Sequence, residues 1–257
     1  MPTIYGTDAS EIILGTPESD ISIFGLGGDD FIYGQDGDDF IWGGPGDDRV
    51  HGHRGEDFLV GGNGDDTVFG NDDNDVILGE SGNDTLDGGD GDDYINGGTD
   101  DDRLIGGNGN DTLKGGLGDD KLIGTNNRHA IEIDELTGGG GADTFRLGDF
   151  YSNYYNNGGN SDYALITDMG YLDQIILDNG TYTTGSSPIA GISGTAIYEG
   201  SELLAIVQGL GVGQYLSFES RYYLTTATVK SSLTYNPGIF QSVKTGIDTS
   251  NLQAVSL

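Results

Sequence analysis

Carboxylates recurring at every ninth residue are the chemistry this sequence offers. Asp30, Asp39, Asp48, Asp57, Asp66, Asp75, Asp84, Asp93, Asp102, Asp111 and Asp120 stand in strict register, and Asp143 ends one further complete unit. Each of the first eleven lies seven residues after an aliphatic residue, from Ile23, Ile32 and Ile41 to Leu113, and that aliphatic column runs on to Leu122. Two residues after every aliphatic member comes a glycine, from Gly25 through Gly124. Acidic side chains stacked closely repel one another, and a hard divalent cation turns that repulsion into coordination. Calcium accepts six to eight carboxylate and carbonyl oxygens at about 2.3 to 2.6 Å, so the column is a candidate calcium-binding array.

The elements that would position these groups follow from the same period. Six positions rich in Gly, Asn and Asp make a turn whose backbone visits positive φ, and three residues such as Thr67-Val68-Phe69 make a short strand with its middle side chain inward. Each unit reverses direction at its turn, so two units form one coil of a flattened helix, with the aliphatic column filling the space between two parallel sheets. Successive coils then place the aspartates one strand spacing apart, roughly 4.8 Å. Each ion is expected to bridge a repeat to the next but one, for instance Asp30 with Asp48, Asp39 with Asp57 and Asp102 with Asp120, which gives about nine ions. A fourth column, five after the aliphatic residue, is glycine except at Asp73 and Asp100, where the turn is expected to distort or to gain a ligand. Two looser copies, from Ile4 and from Ile13, precede the array and end on Glu11 and Asp20.

The unit Gly61-Gly62-Asn63-Gly64-Asp65-Asp66-Thr67-Val68-Phe69 reads G-G-x-G-x-D-x-U-x and resembles the nonapeptide of the bacterial hemolysin-type, or RTX, calcium-binding family. The resemblance covers a little over half of the chain. It implies an all-β fold, a right-handed parallel β-roll (a solenoid), with calcium on the aspartate column. It also implies that backbone carbonyls at Gly37, Gly46, Gly55, Gly64, Gly82, Gly91, Gly109 and Gly118 complete the ion shells. Export by a type I system that reads an uncleaved C-terminal signal is a further implication, although the ending Asn251-Leu252-Gln253-Ala254-Val255-Ser256-Leu257 lacks the acidic-plus-apolar terminus of the protease branch. Tyr163 to about Phe218 resembles the β-rich segment that follows the repeats in many cyanobacterial members, through Tyr163-Ala164-Leu165-Ile166-x-Asp168 and Asp173-x-Ile175-x-Leu177.

Three regions are thus expected: degenerate repeats over 1–22, the calcium-binding roll over 23–145 with an irregular insertion near 126–135, and a small β-rich C-terminal cap over 146–257 that could carry the secretion signal. The roll should have unlike faces. One sheet points Phe24, Phe40, Trp42, Phe58, Val60, Val76, Leu78 and Tyr94 outward; the other shows Arg49, His51, Thr67, Thr85, Asp87, Arg103 and Lys121 among a few apolar groups. A contiguous apolar face marks an interface, and the C-terminal segment is expected to fold over it, with self-association or another partner, such as a surface polysaccharide, as the other readings.

Composition removes several functions. The formal net charge is −33, from 10 Lys+Arg against 43 Asp+Glu, which excludes nucleic acid as a partner. Cysteine is absent, so thiol catalysis and zinc thiolate sites are excluded. No long apolar run exists for membrane insertion, and the start Met1-Pro2-Thr3-Ile4 lacks the basic and apolar regions of a cleaved signal peptide. No H-E-x-x-H, G-x-S-x-G or P-loop occurs, so the chain is expected not to be an enzyme. His51 and His53 could bind a transition metal but read as plain surface groups. Calcium binding of extracellular affinity couples to folding, so the chain is expected to stay unfolded in the cytosol and to fold outside as a secreted or cell-surface protein. Three readings stand: a non-catalytic structural or adhesive calcium-binding protein, the calcium-folding and export module of a larger protease, lipase or epimerase, and a pore-forming toxin, which the lack of a long apolar or amphipathic segment disfavours.

Overall fold

A computed structural model describes residues 3–17, 22–125, 132–147, 155, 162–170, 172–177, 182–199, 201–210, 214–218 and 223–228. Residues 126–131 of the irregular insertion, most of the stretch from Tyr151 to Tyr163, and the C-terminal residues 229–257 lie outside them. The described secondary structure is all strand, in two sheets.

The first sheet takes the odd strands in order: β1 (Thr3–Tyr5), β3 (Ser22–Phe24), β5 (Phe40–Pro45), β7 (Phe58–Asn63), β9 (Val76–Ser81), β11 (Tyr94–Thr99), β13 (Thr112–Leu117), β15 (Ile133–Gly140) and β17 (Tyr163–Ile166). The second takes β2 (Ile12–Leu14), β4 (Phe31–Asp36), β6 (Arg49–Arg54), β8 (Thr67–Asp72), β10 (Thr85–Asp90), β12 (Arg103–Asn108), β14 (Lys121–Ile123), β16 (Thr144–Arg146) and β18 (Gln174–Ile176). Every one of these neighbours is paired in parallel, so the chain alternates sheets at each repeat and builds a parallel β-solenoid. The register places Ile23 beside Ile41, Leu59 beside Ile77, and Val50 beside Val68. Both looser N-terminal copies join in the same register, Ile4 beside Ile23 and Ile13 beside Ile32.

The core is the aliphatic column. Ile23, Ile32, Ile41, Val50, Leu59, Val68, Ile77, Leu86, Ile95, Leu104, Leu113 and Leu122 are all fully buried between the sheets, and Leu136 and Phe145 extend the stack. A strand that presents one inward apolar residue per unit buries it only by stacking on its neighbours, which is why the array is cooperative rather than modular.

The strands are longer than the sequence suggests. Most run six residues, as in Thr67–Asp72, and so include the glycine after the aliphatic pair. The reason is backbone packing. The residue three after the aliphatic one takes positive φ, as at Gly62 (φ 129) and Asn71 (φ 87), and stacks on its counterpart one coil away. A Cβ on Gly62 would come within 3.0 Å of the Gly44 carbonyl, so glycine gives the closest approach of the coils at that point, while Gln35, His53, Asn71 and Glu80 take the same positive φ elsewhere in the column. Asp73 and Asp100 keep the left-handed backbone of the glycines they replace, with φ 78 and 79. Asp73 Oδ2 accepts the Gly55 N–H at 3.3 Å, so the turn is supported rather than distorted.

The two sheets run on past residue 145. β15 pairs with β17 and β16 with β18, both in parallel. β21 (Glu202–Val207) continues the parallel order beside β17, and β20 (Thr195–Glu199) and β19 (Tyr182–Ser186) finish that sheet as antiparallel strands. β23 (Tyr223–Thr228) and β22 (Gln214–Phe218) finish the other, also antiparallel. The described C-terminal strands therefore extend the sheets instead of folding over the apolar outer face, because their backbone edges pair with the last coil. On that face Tyr5, Phe24, Phe40 and Phe58 stack ring on ring at 5.3 to 5.7 Å, with Trp42 edge-on to Phe24. Trp42 and Phe58 remain 36% and 39% exposed.

Candidate metal centre

The aspartates form two ladders, one along each edge where the chain crosses between sheets. One runs Asp30, Asp48, Asp66, Asp84, Asp102, Asp120 and Asp143; the other runs Asp39, Asp57, Asp75, Asp93 and Asp111. All twelve are buried, none more than 3% exposed. Within each ladder the backbone N–H of one aspartate donates to Oδ1 of the aspartate one coil later, at 2.7 to 3.0 Å. One oxygen of each carboxylate is thus committed to holding the coils in register.

The other oxygen is not. Oδ2 of Asp30, Asp48, Asp57, Asp66, Asp75, Asp84, Asp93, Asp102, Asp111, Asp120 and Asp143 is buried and has no hydrogen-bond partner. A buried carboxylate oxygen without a donor is costly, and the same defect eleven times over in one geometry marks a place made for something else. Glycine defines that place. A Cβ on Gly70 would come within 3.0 Å of both Asp75 Oδ2 and the Gly88 carbonyl, and the same pair of oxygens crowds Gly43, Gly52, Gly79, Gly88, Gly97, Gly106 and Gly115. Each coil therefore aims a carboxylate oxygen and the next coil's carbonyl oxygen into space that any side chain would fill. Hard oxygens of this kind are the ligands calcium takes, and the residues fit that ion.

The electrostatics agree. Burial pushes the carboxyls of Asp48 and Asp120 up to about 6, those of Asp57, Asp84, Asp93 and Asp143 to about 7, and those of Asp66, Asp75 and Asp102 to about 8. The donated amide opposes the rise and neighbouring carboxylates add to it. Asp111 goes furthest, to about 9, through burial and then the charge of Asp134. Carboxyls this reluctant to ionise alone need a counter-charge to sit as carboxylates at neutral pH.

The glycines expected to supply carbonyl ligands lie in the turns. Gly37, Gly46, Gly55, Gly64, Gly82, Gly91, Gly109 and Gly118 all take positive φ in the turns. Gly46, Gly55, Gly64, Gly82 and Gly109 pack one on another, each Cβ position lying within 3.0 Å of the carbonyl of the glycine one coil earlier. The carbonyls of the column two after the aliphatic residue, such as Gly43, Gly61 and Gly88, crowd the same Cβ positions as the aspartate Oδ2 atoms. Among the described residues no three Asp, Glu or His side chains converge as a metal cage.

A second acidic column escaped the sequence reading. The residue before each ladder aspartate also bridges coils, in the opposite direction: Asp65 N–H donates to Asp47 Oδ1 at 2.9 Å and Asn83 N–H to Asp65 Oδ1 at 2.8 Å. Asp92 N–H donates likewise to Asn74 Oδ1 at 2.7 Å on the other edge. The signal was present, since Asp or Asn stands at this position in most repeats. Asp134 was missed as well. It lies 23 residues after Asp111, within the stretch expected to be irregular, yet its Oδ1 accepts the Asp111 N–H at 2.9 Å as a regular ladder member does. His51 is stacked between Tyr33 and Phe69, with ring centroids 5.2 and 4.6 Å away, a packed surface position.

The RTX calcium-binding nonapeptide repeat family (4 copies) matches this chain over residues 24–59, 51–86, 60–95, 69–104, 96–126 and 132–150. No curated protein matches the chain. The match falls on the coils that carry the two ladders, and over these residues the chain carries RTX calcium-binding nonapeptide repeats.

Proposed function

We propose that the chain is a secreted calcium-binding protein whose repeats fold as they bind about nine calcium ions between coils, and that its role is structural or adhesive rather than catalytic. The observation that carries this is the row of buried, partnerless Oδ2 atoms, most of which crowd a glycine together with a carbonyl of the next coil. In the unfolded chain these carboxylates are hydrated and dispersed, so the site and the fold come into being together. Secretion fits the same linkage, because weak extracellular-type sites fill only where calcium is abundant. The β-rich residues after 145 are read as a cap for the open end of the roll. The exposed aromatic row Tyr5, Phe24, Phe40 and Phe58 offers a surface for adhesion or self-association.

Counting calcium bound per chain after dialysis at millimolar calcium tests the reading. About nine ions are expected, with magnesium failing to compete; a count of none or one contradicts it.

A further inference from the structure

Both aspartate ladders stop at the C-terminal end of the roll, and they stop in the same way. Asp134 closes one ladder: its Oδ1 accepts the Asp111 N–H at 2.9 Å, but its Oδ2, unlike those of the regular members named above, accepts a hydrogen bond from the Tyr155 hydroxyl. Asp173 closes the other: its Oδ1 accepts the Asp143 N–H at 3.0 Å and its Oδ2 accepts the Gly170 N–H at 2.6 Å. The glycine cradle shows what the tyrosine replaces. At Gly106 a Cβ would meet Asp111 Oδ2 and the Gly124 carbonyl; at Gly124 it would meet Asp134 Oδ2 and, in the carbonyl's stead, the Tyr155 hydroxyl. Tyr155 and Asp134 are both fully buried. The phenol is held protonated, since burial and the surrounding carboxylates push it well above its ordinary range.

We propose that Tyr155 is a built-in substitute for calcium, a proton donor that occupies the ion-facing oxygen of Asp134 and ends that ladder without metal. The inference rests on the calcium reading of the regular ladder members. A phenolic O–H satisfies one buried carboxylate oxygen and brings no charge, so the last coil is completed by protein alone. Asp134 is then a ladder residue for register and not a calcium ligand, although it is geometrically one of the series.

Calcium counts on the full chain separate the two claims. Asp111→Asn should hold at least one ion fewer than the unaltered protein; if it holds the same number, the calcium reading itself fails. Asp134→Asn keeps an oxygen for the Asp111 N–H and should hold the full count; the loss of an ion would overturn the inference while leaving the regular sites standing. Melting in saturating calcium supplies a second arm that does not depend on counting. Tyr155→Phe should lower the melting temperature, and should lower it less in the Asp134→Asn background. Equal losses in both backgrounds would show that the phenol does not act through Asp134 and would overturn the inference.

Discussion

Asp66 Oδ1 accepts the backbone N–H of Asp48 at 2.7 Å, and this single bond decides what Asp66 Oδ2 can do. With one oxygen fixed to the previous coil, the other is aimed at the gap left by Gly61, where a Cβ would come within 3.0 Å of it. Register and metal affinity are two ends of one carboxylate.

Substitutions at Asp66 should separate those two ends. Asp66→Asn keeps an acceptor for Asp48 and should lower the calcium count with modest loss of stability. Asp66→Ala also strands the buried Asp48 N–H, which costs about 1–3 kcal/mol more. Calcium counting together with thermal melting distinguishes them; equal melting temperatures for the two variants would contradict the register role.

Gly70→Ala should block a site while every carboxylate residue is kept. Gly70 does not take positive φ, so its backbone tolerates alanine. The new Cβ would lie within 3.0 Å of Asp75 Oδ2 and of the Gly88 carbonyl. One calcium fewer per chain and a lower melting temperature are expected, and an unchanged count would show that the ion does not use this space.

Metal-free protein should be more structured in mild acid than at neutral pH. Ten ladder carboxyls, all but Asp30 and Asp39, are raised from about 3.8 to between about 6 and 9 in the fold, so the folded chain holds protons that the unfolded chain releases. Their contribution is fully present below about pH 4 and is lost as pH rises through 6 to 9. Circular dichroism in chelator at pH 5 and pH 8 should show more β signal at pH 5, and the reverse order would contradict the raised values. With calcium present the dependence should flatten, because coordination replaces the proton.

Truncating one core residue should cost as much here as in a globular core. Ile77 is fully buried and stacks between Leu59 and Ile95. Ile77→Ala should destabilise the calcium-loaded protein by about 2–5 kcal/mol. Denaturant titration measures it, and a loss below 1 kcal/mol would mean that the coils do not depend on this column.

Much of this was legible in the sequence because the period is also the geometry. Nine residues per unit and two units per coil put Ile23 beside Ile41 and Asp30 beside Asp48, and both pairings are found. What escaped were features that depend on backbone position rather than residue type. Strands extend to six residues because the residues after the aliphatic one still pair with the neighbouring coil, as Gly44 does with Gly62 and Pro45 with Asn63. Asp134 was hidden because the insertion breaks the count of nine, while the ladder needs only an aspartate delivered to the right coil. Tyr163-Ala164-Leu165-Ile166 carries no repeat signature, yet a parallel edge accepts any β-forming backbone, so β17 continues the sheet.

Titrating calcium into metal-free protein while following circular dichroism and hydrodynamic size, with magnesium as control, tests most directly whether ion binding and folding of the roll are one event. A cooperative gain of β signal near millimolar calcium, with compaction and without a magnesium response, is the predicted result. A chain already folded in chelator at neutral pH and indifferent to calcium would contradict it.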